Sequence, residues 1–210
     1  MEELRELVKV GKVNDATERV KLLIEQGSDP DAIMKKALIP AMDDVGDLFQ
    51  QGQYFLPELL VSAKAMKQGL DVLKPLLVKG GLKPLGKVVL GTVKGDLHDL
   101  GKNILAMALE GAGFEVVDLG TDVSAEKFVE TIKEHKPQLI GMSALLTTTM
   151  LTMKTTIEEI EKAGLRDQVK IMIGGAPIRQ EFADEIGADF FGPDATTGKN
   201  YARDAVTGEA

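Results

Sequence analysis

The sequence predicts an α/β protein in two parts: an N-terminal helical bundle, then a doubly wound parallel sheet of five strands in the flavodoxin-like (Rossmann-like) order. Three observations predict it. Apolar residues recur at helical spacing through the first 80 residues, without strand-like alternation. Residues 78–86 then read Val-Lys-Gly-Gly-Leu-Lys-Pro-Leu-Gly, a glycine- and proline-rich break. From Lys87 onward, short apolar runs alternate with helical stretches of about 10–15 residues, the mark of βαβ units. The expected division is a helical domain over 1–80, a linker over 81–86 and an α/β domain over 87–210.

In the helical part, Asn14 is placed to cap a segment reaching Gln26, with Val20, Leu23 and Ile24 on one face and Gly27 as its stop. Ser28-Asp29-Pro30 restarts the chain, with a capping side chain followed by a proline near the first turn. Pro40 is expected to divide the region after this restart into two helices, because an interior proline costs about 3 kcal/mol. The second of these carries Met42, Val45 and Phe49 on one face and ends at Gly52. Pro57 opens a long helix through Leu60, Ala63, Met66, Leu70 and Leu73, with a kink expected at Pro75. Several helices with short connections make a small bundle.

In the α/β part, the strands are expected at 88–93, 114–119, 138–143, 169–173 and, more weakly patterned, 189–191. Helices are expected at 100–110, 125–134 (capped by Ser124), 150–162, 178–186 and 195–206. Parallel strands joined by right-handed crossovers bury both sheet faces and bind ligands beyond their C-terminal ends. The loops after strands one, three and four are therefore where chemistry is to be sought.

Composition narrows the classes. With 25 Lys+Arg against 33 Asp+Glu the chain carries −8, which argues against nucleic acid or an anionic membrane as the main partner. The absence of cysteine excludes disulfides, Cys-ligated zinc and iron–sulfur clusters. The opening Met-Glu-Glu-Leu-Arg-Glu has no basic and apolar leader pattern, and no apolar run approaches about 18 residues. A cytoplasmic location is expected.

After strand one the chain reads Gly95-Asp96-Leu97-His98-Asp99-Leu100-Gly101. A neutral imidazole is a good transition-metal ligand, and a carboxylate on its other nitrogen fixes the tautomer and raises its basicity. Asp96 is the natural partner of that kind. Taken alone, the same residues also describe a helix-capping Asp and a solvated turn histidine. After strand three comes Ser143-Ala144-Leu145-Leu146-Thr147-Thr148-Thr149, rich in hydroxyls, which is either a capping turn or a ligand-lining loop. After strand four, Gly174-Gly175 allows a turn or the close approach of a ligand. No G-x-G-x-x-G and no G-x-x-x-x-G-K-[ST] occurs. His135, the second histidine, falls near a helix end, where a solvated or dipole-facing role is expected. One histidine among glycine- and hydroxyl-rich loops suits a large prebuilt cofactor better than a catalytic triad.

Together, Asp96-x-His98-x-x-Gly101, Ser143-x-Leu145 and Gly174-Gly175 resemble the cobalamin-binding domain shared by methionine synthase, some mutases and the corrinoid proteins of anaerobic methyltransferase systems. The resemblance implies a base-off corrinoid with His98 as the lower axial cobalt ligand. It further implies a nucleotide tail lined by Ser143, Leu145, Thr147, Gly174 and Gly175. His98, Asp96 and Thr149 would form the family's ligand relay, Thr149 standing where methionine synthase has serine. Gly95, Asp99 and Ala195 are implied as backbone or tail contacts. In the helical part, the stretch from Met42 through Phe49, Tyr54, Leu56 and Glu58, followed by Ser62-Ala63 and Met66-Lys67, resembles the helical cap of methionine synthase and its methyltransferase relatives. Phe49 and Leu56 match the two residues that cover the corrin in that cap. Helical spacing alone equally allows both to be bundle core.

The resemblance implies a methyl carrier whose cofactor, cobalamin or a related corrinoid, alternates between cob(I)amide and methylcob(III)amide. Its implied partners are a substrate:corrinoid methyltransferase, a second methyltransferase with tetrahydrofolate or coenzyme M as acceptor, and a reductive activase. The chain alone would not be a complete enzyme. Methoxylated aromatics, methylamines, betaines and methanol are donors served by such carriers, with O-demethylation or methylamines favoured. Two alternatives stay open at this point: a corrinoid-dependent sensor of transcription, and the cobalamin subunit of a mutase.

Overall fold

The computed structural model describes residues 1–79 and 84–208. The chain divides into two compact units, Met1–Pro84 with Glu110–Gly113, and Leu85–Leu109 with Phe114–Ala210. Of the expected linker, residues 81–83 lie outside the described residues.

The helical unit contains α1 (Glu2–Lys9), α2 (Val13–Glu25), α3 (Pro30–Ile33), α4 (Ile39–Gln50) and α5 (Leu56–Lys79). Asn14 lies inside α2, whose N-cap position is Lys12 with no side-chain bond, so the expected Asn14 cap is not made. Asp29 does cap α3, accepting the Asp31 amide. Pro40 stands in the first turn of α4, but no break in the helical backbone separates α4 from α3. A π turn over Met34–Leu38 joins α3 to α4, and the Ile39 N–H donates to the Met34 carbonyl. That wider turn shifts the hydrogen-bond register just before a residue with no N–H to give. Pro75 likewise stays inside α5. On α5 the buried face runs through Leu59, Ala63, Met66 and Leu73, whereas Leu60 is exposed.

The second unit is a five-stranded parallel sheet in the order β2-β1-β3-β4-β5. Its strands are β1 (Lys87–Thr92), β2 (Glu115–Asp118), β3 (Leu139–Ser143), β4 (Lys170–Gly174) and β5 (Phe190–Gly192). The connecting helices are α6 (Leu100–Gly111), α7 (Ala125–His135), α8 (Thr147–Lys162) and α9 (Gln180–Ile186), with α10 (Ala195–Thr207) closing the chain. This is the expected flavodoxin-like order. Val89, Phe128, Ile140, Met153, Ile157, Ile171 and Ile173 belong to one buried cluster of strand and helix side chains. Gly91 belongs to that packing: a Cβ on it would sit 2.7 Å from the Phe128 ring.

Two shifts in boundary matter for the site. α8 begins at Thr147 rather than Met150, so Thr147 and Thr149 occupy its first turn instead of a loop. β4 extends through Gly174, which pairs with Ser143 on one side and Gly192 on the other. The order places the topological switch between β1 and β3, where chain connections diverge and a crevice opens beyond the strand ends.

Candidate functional site

Both strands flanking the switch point deliver motif residues there. β1 passes into Val93, whose N–H still donates to the Ser143 carbonyl (3.0 Å). The chain then turns through Gly95, at φ +86°, and Asp96 donates its amide back to the Val93 carbonyl. The positive φ explains a glycine at this position.

The turn directs the Asp96 side chain inward, where it is fully buried. Its Oδ1 accepts the His98 amide at 3.0 Å and faces the His98 ring Nδ1 at 2.7 Å. Its Oδ2 accepts the Leu145 amide (2.8 Å), the Leu146 amide (3.3 Å) and the Thr149 hydroxyl (2.7 Å). One carboxylate therefore ties the β1 loop to the start of α8. Burial alone pushes the Asp96 carboxyl up, but hydrogen bonds from Thr149, Leu145 and His98 outweigh it and hold the group well below the usual carboxylate range. The helix start adds its own preference for negative charge. Asp96 is thus an anion at neutral pH.

An ionised Asp96 accepts from Nδ1, so the imidazole proton sits on Nδ1 and the lone pair on Nε2. The His98 side chain is 53% exposed, so Nε2 is left for a ligand. Thr92, fully buried at the end of β1, donates its hydroxyl to the His98 carbonyl at 3.0 Å and anchors the loop's far end. Large apolar side chains stay exposed in this segment, Leu97 at 72% and Leu100 at 57%, and in the β3–α8 loop bonded to it, Leu145 and Leu146 at just over 40%.

The other expected site residues fall into three places. Gly174 and Gly175 lie against the β3–α8 loop and β5. A Cβ on Gly175, at φ +134°, would sit 1.8 Å from the Ala144 carbonyl oxygen, and one on Gly174 would sit 3.0 Å from the Gly192 carbonyl. Ser143 ends β3 between Thr92 and Gly174, and Thr147 is exposed at the start of α8. Asp99 immediately precedes α6 and Gly101 lies in its first turn. The Asp99 carbonyl accepts the Asn103 amide, its carboxylate accepts the Asn103 side-chain amide at 2.9 Å, and Gly101 faces open space. Ala195 begins α10, capped by Asp194. Phe49 near the end of α4 and Leu56 at the start of α5 are both half-buried in the helical unit. His135 ends α7 and takes no part in this cluster.

The structure adds Thr92, the exposed leucines other than Leu145, and Asp122 (which accepts the Gly95 amide), none of which the sequence singles out. A threonine inside an apolar strand carries no pattern of its own. Leu97 and Leu100 invite notice only as apolar residues in an otherwise polar loop.

The residues fit a metallocofactor of one kind. Among the described residues no group of three or more His, Cys, Asp or Glu side chains could hold a bare metal ion. A single imidazole with its second nitrogen satisfied, bordered by leucines, suits a metal that brings its own planar ligands and a large apolar face.

Comparison with known proteins agrees. Two B12 binding domain families match, one over residues 86–202 and one over residues 1–74. The chain is 48% identical over 183 residues to trimethylamine corrinoid protein 1 of Methanosarcina acetivorans, covering 86% of this chain and 85% of that protein. It is 45% identical over 179 residues to dimethylamine corrinoid protein 1 of the same organism, covering 85% and 84%. Among solved structures it is similar to the methanol:cobalamin methyltransferase complex MtaBC from Methanosarcina barkeri. The match has a TM-score of 0.88 at 31% identity and covers 98% of this chain and 78% of that chain. The expected family and cofactor are borne out: the chain belongs to the B12-binding corrinoid proteins of methyltransferase systems and binds a cobalamin-type corrinoid.

Proposed function

We propose that this chain is the methyl-carrying subunit of a methylamine methyltransferase system, with trimethylamine or dimethylamine as the ultimate donor. The observation that carries the reading is the His98 imidazole, tied at Nδ1 to the buried Asp96 and open at Nε2 among exposed leucines. The relatives' names favour methylamines over the methoxylated aromatics that the sequence left equally open. When bound, the corrinoid supplies a cobalt that accepts and gives up a methyl group.

The chain's residues serve that chemistry by position. His98 would hold the cobalt from below through Nε2, with the Asp96 carboxylate making the ring a stronger donor. Thr149 and the Leu145 and Leu146 amides keep that carboxylate ionised and immobile. Ser143, Leu145, Thr147, Gly174 and Gly175 would line the nucleotide tail, with Gly95, Asp99, Gly101 and Ala195 at its borders. Phe49 and Leu56 would exclude water from the reactive face. A substrate:corrinoid methyltransferase, a corrinoid:acceptor methyltransferase and a reductive activase are the partners this role requires. The solved complex in which a similar chain appears is named for a cobalamin methyltransferase, which supports the first of them.

The test uses chain labelled with nitrogen-15 histidine and loaded with cob(II)alamin. Electron paramagnetic resonance should show the hyperfine pattern of nitrogen-15, and His98→Ala should abolish it. An unchanged pattern in the variant refutes the axial assignment. With a trimethylamine methyltransferase present, trimethylamine should change the visible spectrum of the reduced, loaded chain, whereas methanol and methoxylated aromatics should not. The opposite preference refutes the donor.

A further inference from the structure

The loop carrying Asp96 and His98 is gripped on one side by the start of α8. Its other side is gripped by Asp122, a residue outside all three motif loops. The Gly95 N–H donates to Asp122 Oδ1 at 2.7 Å, and the Asp122 N–H donates to the Asp96 carbonyl at 3.0 Å. Asp122 lies between β2 and α7 at φ +55°, a left-handed conformation that glycine adopts without strain and that, of the other residues, chiefly Asn and Asp accept. It is also exposed, so no packing demand accounts for a side chain there. The hydrogen bond to Gly95 does account for it.

The Asp122 turn is itself fixed to the sheet. Val123 donates its amide to the Thr92 carbonyl, and Thr92 donates its amide to the Gly120 carbonyl, both at 2.9 Å. Val93 and Val123 add a parallel bridge. Asp122 therefore connects a firmly paired segment to the backbone on both sides of the Gly95–Asp96 peptide, from whose Asp96 the buried carboxylate projects. Gly95, at φ +86°, has the conformational freedom that makes such an external hold necessary.

We infer that Asp122 is a positioning residue for His98. It fixes the Gly95–Asp96 segment, so that the Asp96 carboxylate, and through it the imidazole, stand at one height above the sheet edge. Its action is confined to orientation, because its own side chain reaches Gly95 and not the imidazole. The inference deepens the proposed function and rests on it where the cofactor is concerned.

Asp122→Gly removes the acceptor while relieving the backbone, so the variant should fold. Asp122→Asn keeps an acceptor oxygen and a residue type that tolerates the left-handed region. Amide hydrogen exchange at Gly95 in the full chain should accelerate about fivefold or more in Asp122→Gly, the factor expected for one solvent-exposed hydrogen bond. It should stay near wild type in Asp122→Asn. In the cob(II)alamin-loaded chain, the ratio of molecules with to molecules without the nitrogen-15 histidine pattern should fall about fivefold in Asp122→Gly and recover in Asp122→Asn, with the melting temperature little changed. Unchanged exchange at Gly95 in Asp122→Gly, or equal acceleration in both variants, overturns the inference. Accelerated exchange with an undiminished histidine pattern also overturns it. Absence of the histidine pattern in the wild-type chain would sink the proposed function instead, leaving the exchange result to judge the hold on Gly95.

Discussion

Replacing Asp96 with asparagine isolates the group on which the site depends. The two carboxylate oxygens accept from five donors, of which three are backbone amides that cannot become acceptors. An asparagine presents one oxygen and one NH2. Facing α8 with the NH2 would orphan the Leu145 and Leu146 amides, although the Thr149 hydroxyl could rotate to accept. Facing His98 with it orphans only the His98 amide, and the imidazole can adapt by moving its proton from Nδ1 to Nε2. The second arrangement leaves fewer buried donors unpaired and should prevail. Its cost is one lost charge-assisted bond and several weakened ones, about 3 kcal/mol, or on the order of 10 °C in melting temperature. The functional consequence should be larger: Nε2 then carries a proton and offers no lone pair to the cobalt that His98 is proposed to hold. Nitrogen-15 NMR of the histidine ring reads the tautomer directly, and thermal unfolding reads the cost. An Asp96→Asn chain with wild-type stability and the proton still on Nδ1 would refute this reasoning. The pH dependence is set by the sign of the shift. Asp96 in the folded chain lies below its ordinary value of about 3.9, so its stabilisation is complete above that value and is lost as pH falls through the lower folded value. The gap in melting temperature between wild type and variant should narrow as pH falls below about 4.

Two further predictions concern the surroundings of that carboxylate. Thr149→Val keeps the volume but removes a 2.7 Å bond to Asp96, and should cost about 1.5 kcal/mol in urea unfolding, whereas Thr149→Ser should cost under about 1 kcal/mol. The glycines should divide sharply. Gly175→Ala, whose Cβ would stand 1.8 Å from the Ala144 carbonyl, should lose about 3 kcal/mol or more, seen as a lowered unfolding midpoint. Gly101→Ala, with nothing within 4 Å, should gain about 0.5 kcal/mol. If Gly101 borders the nucleotide tail as proposed, the same variant should bind cobalamin more weakly in spectral titration.

Much of this protein is legible from the residues alone, because the relevant physics is local or periodic. Strand and helix alternation after Lys87 comes from the spacing of apolar residues, and that alternation implies a parallel sheet with ligands at its C-terminal edge. Asp96, His98, Ser143 and the glycine pair stand where those strands end, so their convergence on one edge is expected. The details that differ are those a neighbour decides. Pro40 reads as a helix break, but the π turn at Met34–Leu38 shifts the hydrogen-bond register just ahead of it. Thr147 and Thr149 read as loop because hydroxyl side chains compete with helical bonding, yet Asp96, a long way back in sequence, takes up the Leu145 and Leu146 amides just before α8 and the Thr149 hydroxyl in its first turn. By itself, then, the sequence determined the fold class and the sheet edge at which Asp96, His98, Ser143 and the glycine pair meet. Only the tertiary structure decided which nitrogen of His98 is left open, and that Asp122 grips Gly95. The first depends on an Asp96 carboxylate held by Leu145 and Thr149 from far along the chain, and the second joins distant segments directly; no residue spacing keeps a record of either.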